Sequence, residues 1–358
     1  MPRPRAAAAT LRRIPGEPAA SSPGASLSIG LCAAIVAASE HEPRVLTLRF
    51  AASGGSPAEA LPSGPLEAEH RTLEIGLRAW VERQTSQHLG YVEQLYTFGD
   101  RDRAMGDGAG DDSLALPALV VAYLALAREA HPSGSLDAAT ADAEWRGWYR
   151  YFPWEDWRGG KPALLGPLEA RLEGWAAEAG DDAERRLREE RLGLAFGRHG
   201  ASWNEELVLE RYELLYEAGL VVEAVRIPGR PAAPVERTAL DFSTGVTMAS
   251  DHRRILATAI GRLRGKIKYR PVVFELMPPA FTLLQLQRTV EALAGVRLHK
   301  QNFRRLVEQQ GLVEETGAIS AATGGRPARL VRFRREVLLE RPAPGLRLRA
   351  GRRAAAGG

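Results

Sequence analysis

The sequence predicts an α+β protein, a mixed-sheet body followed by a winged helix-turn-helix. Three observations carry this reading. Residues 281–335 spell helix, short turn, helix and hairpin, in the order of a winged helix-turn-helix. The N-terminal half holds short apolar runs of strand character with one helical segment among them. Charge is divided as well: residues 251–337 contain 17 Lys and Arg against 7 Asp and Glu, a net of +10, while the whole 358-residue chain is only +4. The remainder therefore carries about −6, and a basic module on an acidic body is the footprint of nucleic-acid binding. The competing reading of the same charge is a winged helix that binds other proteins and solvates a basic face.

Within the basic module each boundary has a local signal. Thr282 with Gln285 three residues on reads as a capping box. Leu283, Leu286, Val290 and Leu293 make one apolar stripe that ends at Gly295. Leu298 and Phe303 are spaced as a hydrophobic staple for a second helix, closed by Gly311. If Phe303, Leu306 and Val307 face inward, then Lys300, Gln301, Arg304 and Arg305 face outward, the residue types that reach base edges and phosphates. Residues 312–319 and 329–333 read as the strands of the wing, with Arg326, preset by Pro327, at its tip.

The chain is long enough for two domains. No run approaches the ~20 apolar residues of a membrane span, and the basic N-terminus leads into Pro, Gly and Ser rather than an apolar signal core. The single cysteine, Cys32, excludes an intrachain disulfide and a Cys-based zinc site. A cytoplasmic protein is the default expectation. Residues 1–24 and 345–358 lack apolar periodicity and are expected to be disordered. Residues 26–38 and 44–50 form a plausible hairpin, and residues 61–65 a turn. Residues 71–84 have helical spacing, while residues 91–98 and 114–127 read as strands. Trp145, Trp148, Trp154 and Trp157 crowd together around Tyr149, Tyr151 and Phe152, which suits a packing block better than a ligand cage. Residues 164–177, 183–192 and 203–219 look helical, and the Pro-rich stretch 227–236 is the best linker. The expected organisation is a tail (1–24), a body (25–235) with an aromatic insertion at about 130–205, the winged helix (240–337) and a basic tail (338–358).

These features add up to a family resemblance. The two hairpin strands, the Leu-Pro-Ser-Gly turn, the helix and Tyr91-Val-Glu-Gln-Leu-Tyr-Thr-Phe-Gly-Asp100 resemble the Nudix-like sensor domain of NrtR-type transcriptional regulators. Phe274-Glu-Leu-Met-Pro-Pro-Ala-Phe-Thr-Leu283, Gln301-Asn-Phe-Arg-Arg305, Gly311-Leu-Val-Glu-Glu-Thr-Gly317 and Gly324-Gly-Arg-Pro-Ala-Arg-Leu330 resemble the winged helix attached to it. Phe152-Pro-Trp-Glu-Asp-Trp157 looks like the insertion of the longer, NadQ-like members. The fold implied is a Nudix-like α/β/α sandwich with a helical, aromatic-rich insertion, then the winged helix. The resemblance also implies a repressor of NAD-metabolism genes, acting as a homodimer on a palindromic double-stranded DNA operator. Its nucleotide effector would be ADP-ribose, NAD or a related adenine nucleotide. No cofactor is implied.

One departure from the family pattern matters. A Nudix hydrolase holds Mg²⁺ on helix carboxylates. In one register those positions are Arg83 and Gln84 here, with Ala79 and Trp80 before them; shifting by one restores Arg78 and Glu82 but still leaves Ala79 and Arg83 at carboxylate positions. Hydrolysis is therefore not expected, although an active Nudix-type hydrolase remains the alternative function. Tyr212 to Leu220 echoes half of the motif through Glu213 and Glu217, but those acids fit the solvated face of a helix. The histidines have no metal-ligand spacing, and no phosphate-binding glycine loop appears. The candidate DNA contacts are Thr282, His299, Lys300, Gln301, Asn302, Arg304, Arg305, Arg326 and Arg329; Arg49, Arg78, Tyr96 and Phe98 are candidates for the border of the effector cleft.

Overall fold

The structure, a computed structural model, describes residues 28–50, 58–99, 119–129, 143–225, 244–320, 327–340 and 345–346. The expectations for residues 1–24, for the linker at 227–236 and for Arg326 lie outside these residues.

Strands β1 (Ile29–Ala38) and β2 (Pro43–Phe50) form the expected hairpin, with Val36 opposite Val45. Their far ends splay apart, and two short strands fill the gap: β3 (Ala58–Ala60) pairs with β2, and β4 (Ser63–Pro65) pairs with β1. Residues 61–65, expected as a turn, are thus a bend running into a strand. Pro62 O accepts from the Ala33 amide at 2.9 Å and the Leu66 amide donates to Ile29 O at 2.8 Å, so backbone pairing claims this stretch. Helix α1 (Leu73–Thr85) follows, capped by the Thr72 side chain. Strands β5 (Tyr91–Phe98), β6 (Leu119–Leu126) and β7 (Ala143–Gly147) complete a seven-stranded sheet of order β3-β2-β1-β6-β5, with β7 on β2. Only the β1–β6 pair is parallel among the described strands.

Strand alternation sorts the core onto two faces. Leu31, Ala33, Ile35, Val121, Tyr123 and Ala125 pack with Leu77 and Val81 of α1. Cys32, Ala34, Val36, Ala122, Leu124 and Leu126 face the other way, into a second and larger core. β1 is apolar throughout because both of its faces are covered.

The larger core is filled first by the aromatic insertion. Trp148, Tyr151, Phe152 and Trp154 are fully buried, as a packing block should be. Helices α2 (Leu165–Ala177), α3 (Asp182–Phe196) and α4 (Val208–Glu217) close over them. α4 begins later than the expected residue 203, because Trp203 stands outside the helix and meets Trp157 in a tilted ring contact at 4.5 Å. Asn204 also makes a local turn by accepting from the Glu206 amide.

Helix α5 (His252–Tyr269) crosses from the body to the winged helix, made of α6 (Leu283–Ala294), α7 (Lys300–Gln310), β8 (Val313–Ser320) and β9 (Ala328–Phe333). One continuous apolar core runs from Cys32 in the sheet through α5 to Val307 of α7. The chain then makes a short helix, α8 (Val337–Glu340). The expectation that everything from residue 345 is disordered fails at its first two residues. Leu346 is fully buried in the main core and its amide donates to Ile267 O at 3.0 Å. A Cβ on Gly345 would overlap the backbone of Tyr269, so only glycine brings the chain this close. Leu346→Ala is expected to cost about 2–3 kcal/mol, the low part of the range for a fully buried leucine. Urea melts of the two proteins check this, and an unchanged midpoint would refute it.

Candidate nucleic-acid interface and sensor face

The helix-turn-helix is held by polar contacts at each junction. The Thr282 hydroxyl accepts from the Gln285 amide at 3.1 Å and the Gln285 side chain accepts from the Thr282 amide at 2.7 Å, completing the capping box. At 4% exposure Thr282 is a helix cap and not the DNA contact expected of it, since its hydroxyl is already engaged and covered. α6 ends at Gly295, whose φ of 72° suits glycine. In the following turn the Glu291 carboxylate accepts from the Leu298 amide and from Gln287, both at 2.9 Å, and Gln287 donates to Leu298 O at 3.1 Å. The backbone leading into α7 is therefore pinned on both its donor and its acceptor.

α7 turns Phe303 and Val307 into the core, with Leu306 half-buried. Lys300, Gln301, Asn302, Arg304 and Arg305 are all exposed. Among the described residues, none of these five side chains has a hydrogen bond or ion pair to another part of the chain. His299 is the N-cap residue, is exposed, and makes no side-chain cap bond. The first turn of α7 thus offers free backbone amides, the positive end of the helix dipole and unpaired cations together, which is chemistry suited to a phosphate backbone.

The wing differs from expectation. Arg329, a candidate contact, is exposed but pairs with Glu315 of the facing strand at 2.6 Å, and Arg332 pairs with Glu314 at the same distance. Surface pairs of this kind are weak, so Arg329 is available, yet the strands present less net charge than their arginines suggest. The hairpin is tied to the start of α6 by paired backbone bonds between Phe281 and Val331.

The charge division also has a second origin. Six of the basic residues read as a DNA footprint lie on α5 and pair with carboxylates of the body. Arg253 meets Glu223, Arg254 meets Glu213, Arg262 and Lys266 meet Glu93, Arg264 meets Glu155, and Lys268 meets Glu205. Much of the basic excess therefore clamps α5 to the acidic body, and the exposed cations without a partner among the described residues include Lys300, Arg304 and Arg305 of α7.

The four effector candidates are not gathered at one place. Arg49 lies on β2 and is exposed, with no polar partner among the described residues. Tyr96 and Phe98 lie on β5, with β1 and β6 between them and β2. Phe98 is buried and meets the 64%-exposed Tyr96 edge to face at 5.5 Å, so only Tyr96 offers a free ring. Arg78 belongs to α1, on the opposite face of the sheet from Phe98, where its guanidinium donates to Leu89 O and to Gly90 O. One residue that the sequence reading missed is Arg254. Its guanidinium stacks over Phe98 at 5.4 Å and also lines a cavity of about 650 Å³ between α3 and α4, with Arg191, Leu194, Leu207 and Leu214. Nothing in its local sequence marks it, because the partners come from distant elements.

On α1 the positions where Nudix carboxylates belong are occupied by other bonds. Gln84 accepts from the Ser63 amide at 3.1 Å and donates to Ser63 O at 2.8 Å. Trp80 lies against Gly64, donates its indole N–H to Pro65 O at 2.8 Å, and carries the Arg83 guanidinium 3.9 Å above its ring. The Gln84 and Trp80 contacts seal the helix onto β4, while Arg83 stays on the helix surface and pairs with Glu67 at 3.3 Å.

Known proteins agree with this picture in part of the chain. Residues 273–333 match the model of the NrtR DNA-binding winged helix domain. Over 98 residues the chain is 41% identical to a protein named ADPR responsive transcriptional repressor NtrR, from Acinetobacter baylyi. That alignment takes in 27% of this chain and 39% of the repressor's length. Among solved structures, Shewanella oneidensis NrtR in complex with a 27mer DNA is 18% identical with a TM-score of 0.48, covering 86% of this chain and 94% of its own. A MutT/nudix family protein from Enterococcus faecalis is 16% identical with a TM-score of 0.47, covering 86% and 88%.

Proposed function

We propose, from a winged helix that belongs to the NrtR DNA-binding type, that this chain is a transcriptional regulator of NAD-metabolism genes. The observation that carries the reading is the first half of α7. Lys300, Gln301, Asn302, Arg304 and Arg305 stand exposed and unpaired among the described residues, on a helix whose other side is anchored by Phe303 and Val307. Gln301 is suited to adenine and Arg304 to guanine, and Lys300 to phosphate. A homodimer on a palindromic operator belongs to the same reading, since two copies related by a two-fold axis place two such helices on one face of the duplex.

The body, in this reading, senses a nucleotide and does not cleave it. ADP-ribose is the leading effector, because the relative from Acinetobacter baylyi is named for its response to it. The engagement of Gln84 and Trp80 with β4 supports a non-catalytic body, as does an arginine at position 83, since neither glutamine, tryptophan nor arginine offers a carboxylate to a divalent cation. A ligand that favours one geometry of the protein shifts operator affinity by its differential affinity for the two.

Duplex binding at two salt concentrations tests the DNA role, with log K expected to fall as log salt rises; salt-independent association would leave a protein-binding winged helix. Calorimetry with ADP-ribose, NAD, NADH and ATP tests the sensor, and silence across that panel would remove it. With Mg²⁺ or Mn²⁺ the same nucleotides are expected to stay intact. Turnover at an ordinary enzymatic rate, about one per second or faster, would make the body an enzyme.

A further inference from the structure

We infer that residues 149–157 of the aromatic insertion are the joint through which the body sets the position of the recognition helix, with Tyr149, Glu155 and Arg264 as its positioning residues. The inference rests on the proposed sensor-regulator reading and goes beyond it by assigning the insertion a part.

The segment has two working sides. Toward the body, Arg150 reaches Glu59 of β3 at 3.2 Å, and the Tyr151 hydroxyl donates to the same carboxylate. Toward the winged helix, the hydrogen bonds of the segment among the described residues fall on the last turn of α6 and its cap Gly295. The Tyr149 hydroxyl donates to Ala292 O at 2.6 Å, and the Trp157 amide donates to Gly295 O at 2.7 Å. Arg264 of α5 donates to Leu293 O at 3.0 Å and pairs with Glu155 at 2.7 Å. A Cβ on Gly295 would overlap Glu155 O, so α6 and the segment meet backbone to backbone.

Charge makes this docking close to all-or-none. Glu155 is buried and meets two buried guanidiniums, Arg264 and Arg211, the latter at 2.6 and 2.9 Å. Glu155 is the carboxylate both guanidiniums share, and Arg264 is completed by Glu205 O, Leu293 O and the Tyr149 hydroxyl, the second of these at the negative end of α6. If α6 shifted away, Arg264 would lose Leu293 O while still buried, which is the costly state for a charged donor. The last turn of α6 therefore follows the segment or detaches from it.

What α6 does, α7 must follow. Only residues 295–299 separate them, and Glu291 and Gln287 of α6 hold both backbone groups of Leu298. Lys300 and Gln301 come next. A displacement at Arg150 or Tyr151 is thus passed over one short rigid segment and one pinned turn to the residues that would read DNA.

The test uses the full chain with Tyr149→Phe, which removes the bond to Ala292 O and the long 3.3 Å bond accepted from Arg264, and leaves the buried ion pairs in place. In the nucleotide-free protein, amide exchange over residues 296–302 is expected to be at least about five- to tenfold faster, the local opening that loss of the bond to α6 allows. Nucleotide binding by calorimetry should stay within about twofold of wild type, while the ratio of operator affinities with and without ADP-ribose falls by at least about threefold toward one. Unchanged exchange, or an unchanged ratio in a variant that still binds both ligands, would overturn the joint. A wild type that answers to no nucleotide would count against the sensor reading instead, and the exchange measurement would still decide the joint. Glu155→Gln, which keeps the shape and removes the charge, should move both readouts the same way and further.

Discussion

Replacing Glu155 by alanine is expected to lower the unfolding free energy by about 3–5 kcal/mol, the cost of breaking a buried pair by removing one partner. The size follows from what stays behind. Arg211 and Arg264 are fully buried, and without the carboxylate two guanidiniums face each other with only neutral acceptors, backbone carbonyls and the Tyr149 hydroxyl, beside them. Glu155→Gln should fall between, because its amide oxygen still accepts one of these bonds. The pH dependence has a definite sign. Burial pushes the Glu155 carboxyl up, and the adjacent Arg211 and Arg264 outweigh burial and hold it below the ordinary glutamate range. A depressed carboxyl contributes stability that is present above the unfolded-state value and is lost as pH falls through the folded one. Urea melts of wild type should therefore weaken on acidification below the ordinary carboxylate range, and the alanine variant should weaken less across that window. A variant within about 1 kcal/mol of wild type at neutral pH would mean that the ion cluster is not the anchor described here.

Gln301→Ala and Arg304→Ala are each expected to cost about 1–3 kcal/mol on the operator, roughly 5- to 150-fold in affinity, with little change on a scrambled duplex. Both side chains are exposed and unpaired among the described residues, so neither substitution should disturb the fold. Lys300→Ala should instead weaken both duplexes alike and reduce the salt slope by about one, as loss of a phosphate contact does. Equal losses on operator and scrambled DNA for Gln301→Ala and Arg304→Ala would take base reading away from α7. No loss from any of the three would take DNA binding away from the chain.

The sequence by itself determined the elements whose signals are short-range. The Thr282–Gln285 capping box, the Gly295 and Gly311 stops and the inward Phe303 and Val307 all depend on residues within one or two helical turns, so spacing alone exposes them. The apolar β1 was legible for a similar reason, since a strand covered on both faces needs no polar residue. The outward set on α7 followed from the inward one. The tertiary structure alone decided which charges meet. In sequence, the arginines and lysines of α5 look like those of α7, yet the first group binds Glu93, Glu155, Glu205, Glu213 and Glu223 of the body and the second binds nothing among the described residues. Thr282 and Arg329 lost or shared their expected roles on the same grounds, through a cap and a cross-strand pair. Arg78 and Phe98 parted because helix and strand cover opposite faces of one sheet. Leu346 shows the limit at its sharpest: the scattered leucines of a basic tail carry no periodicity, and only the tertiary structure selects Leu346 for burial beside the end of α5.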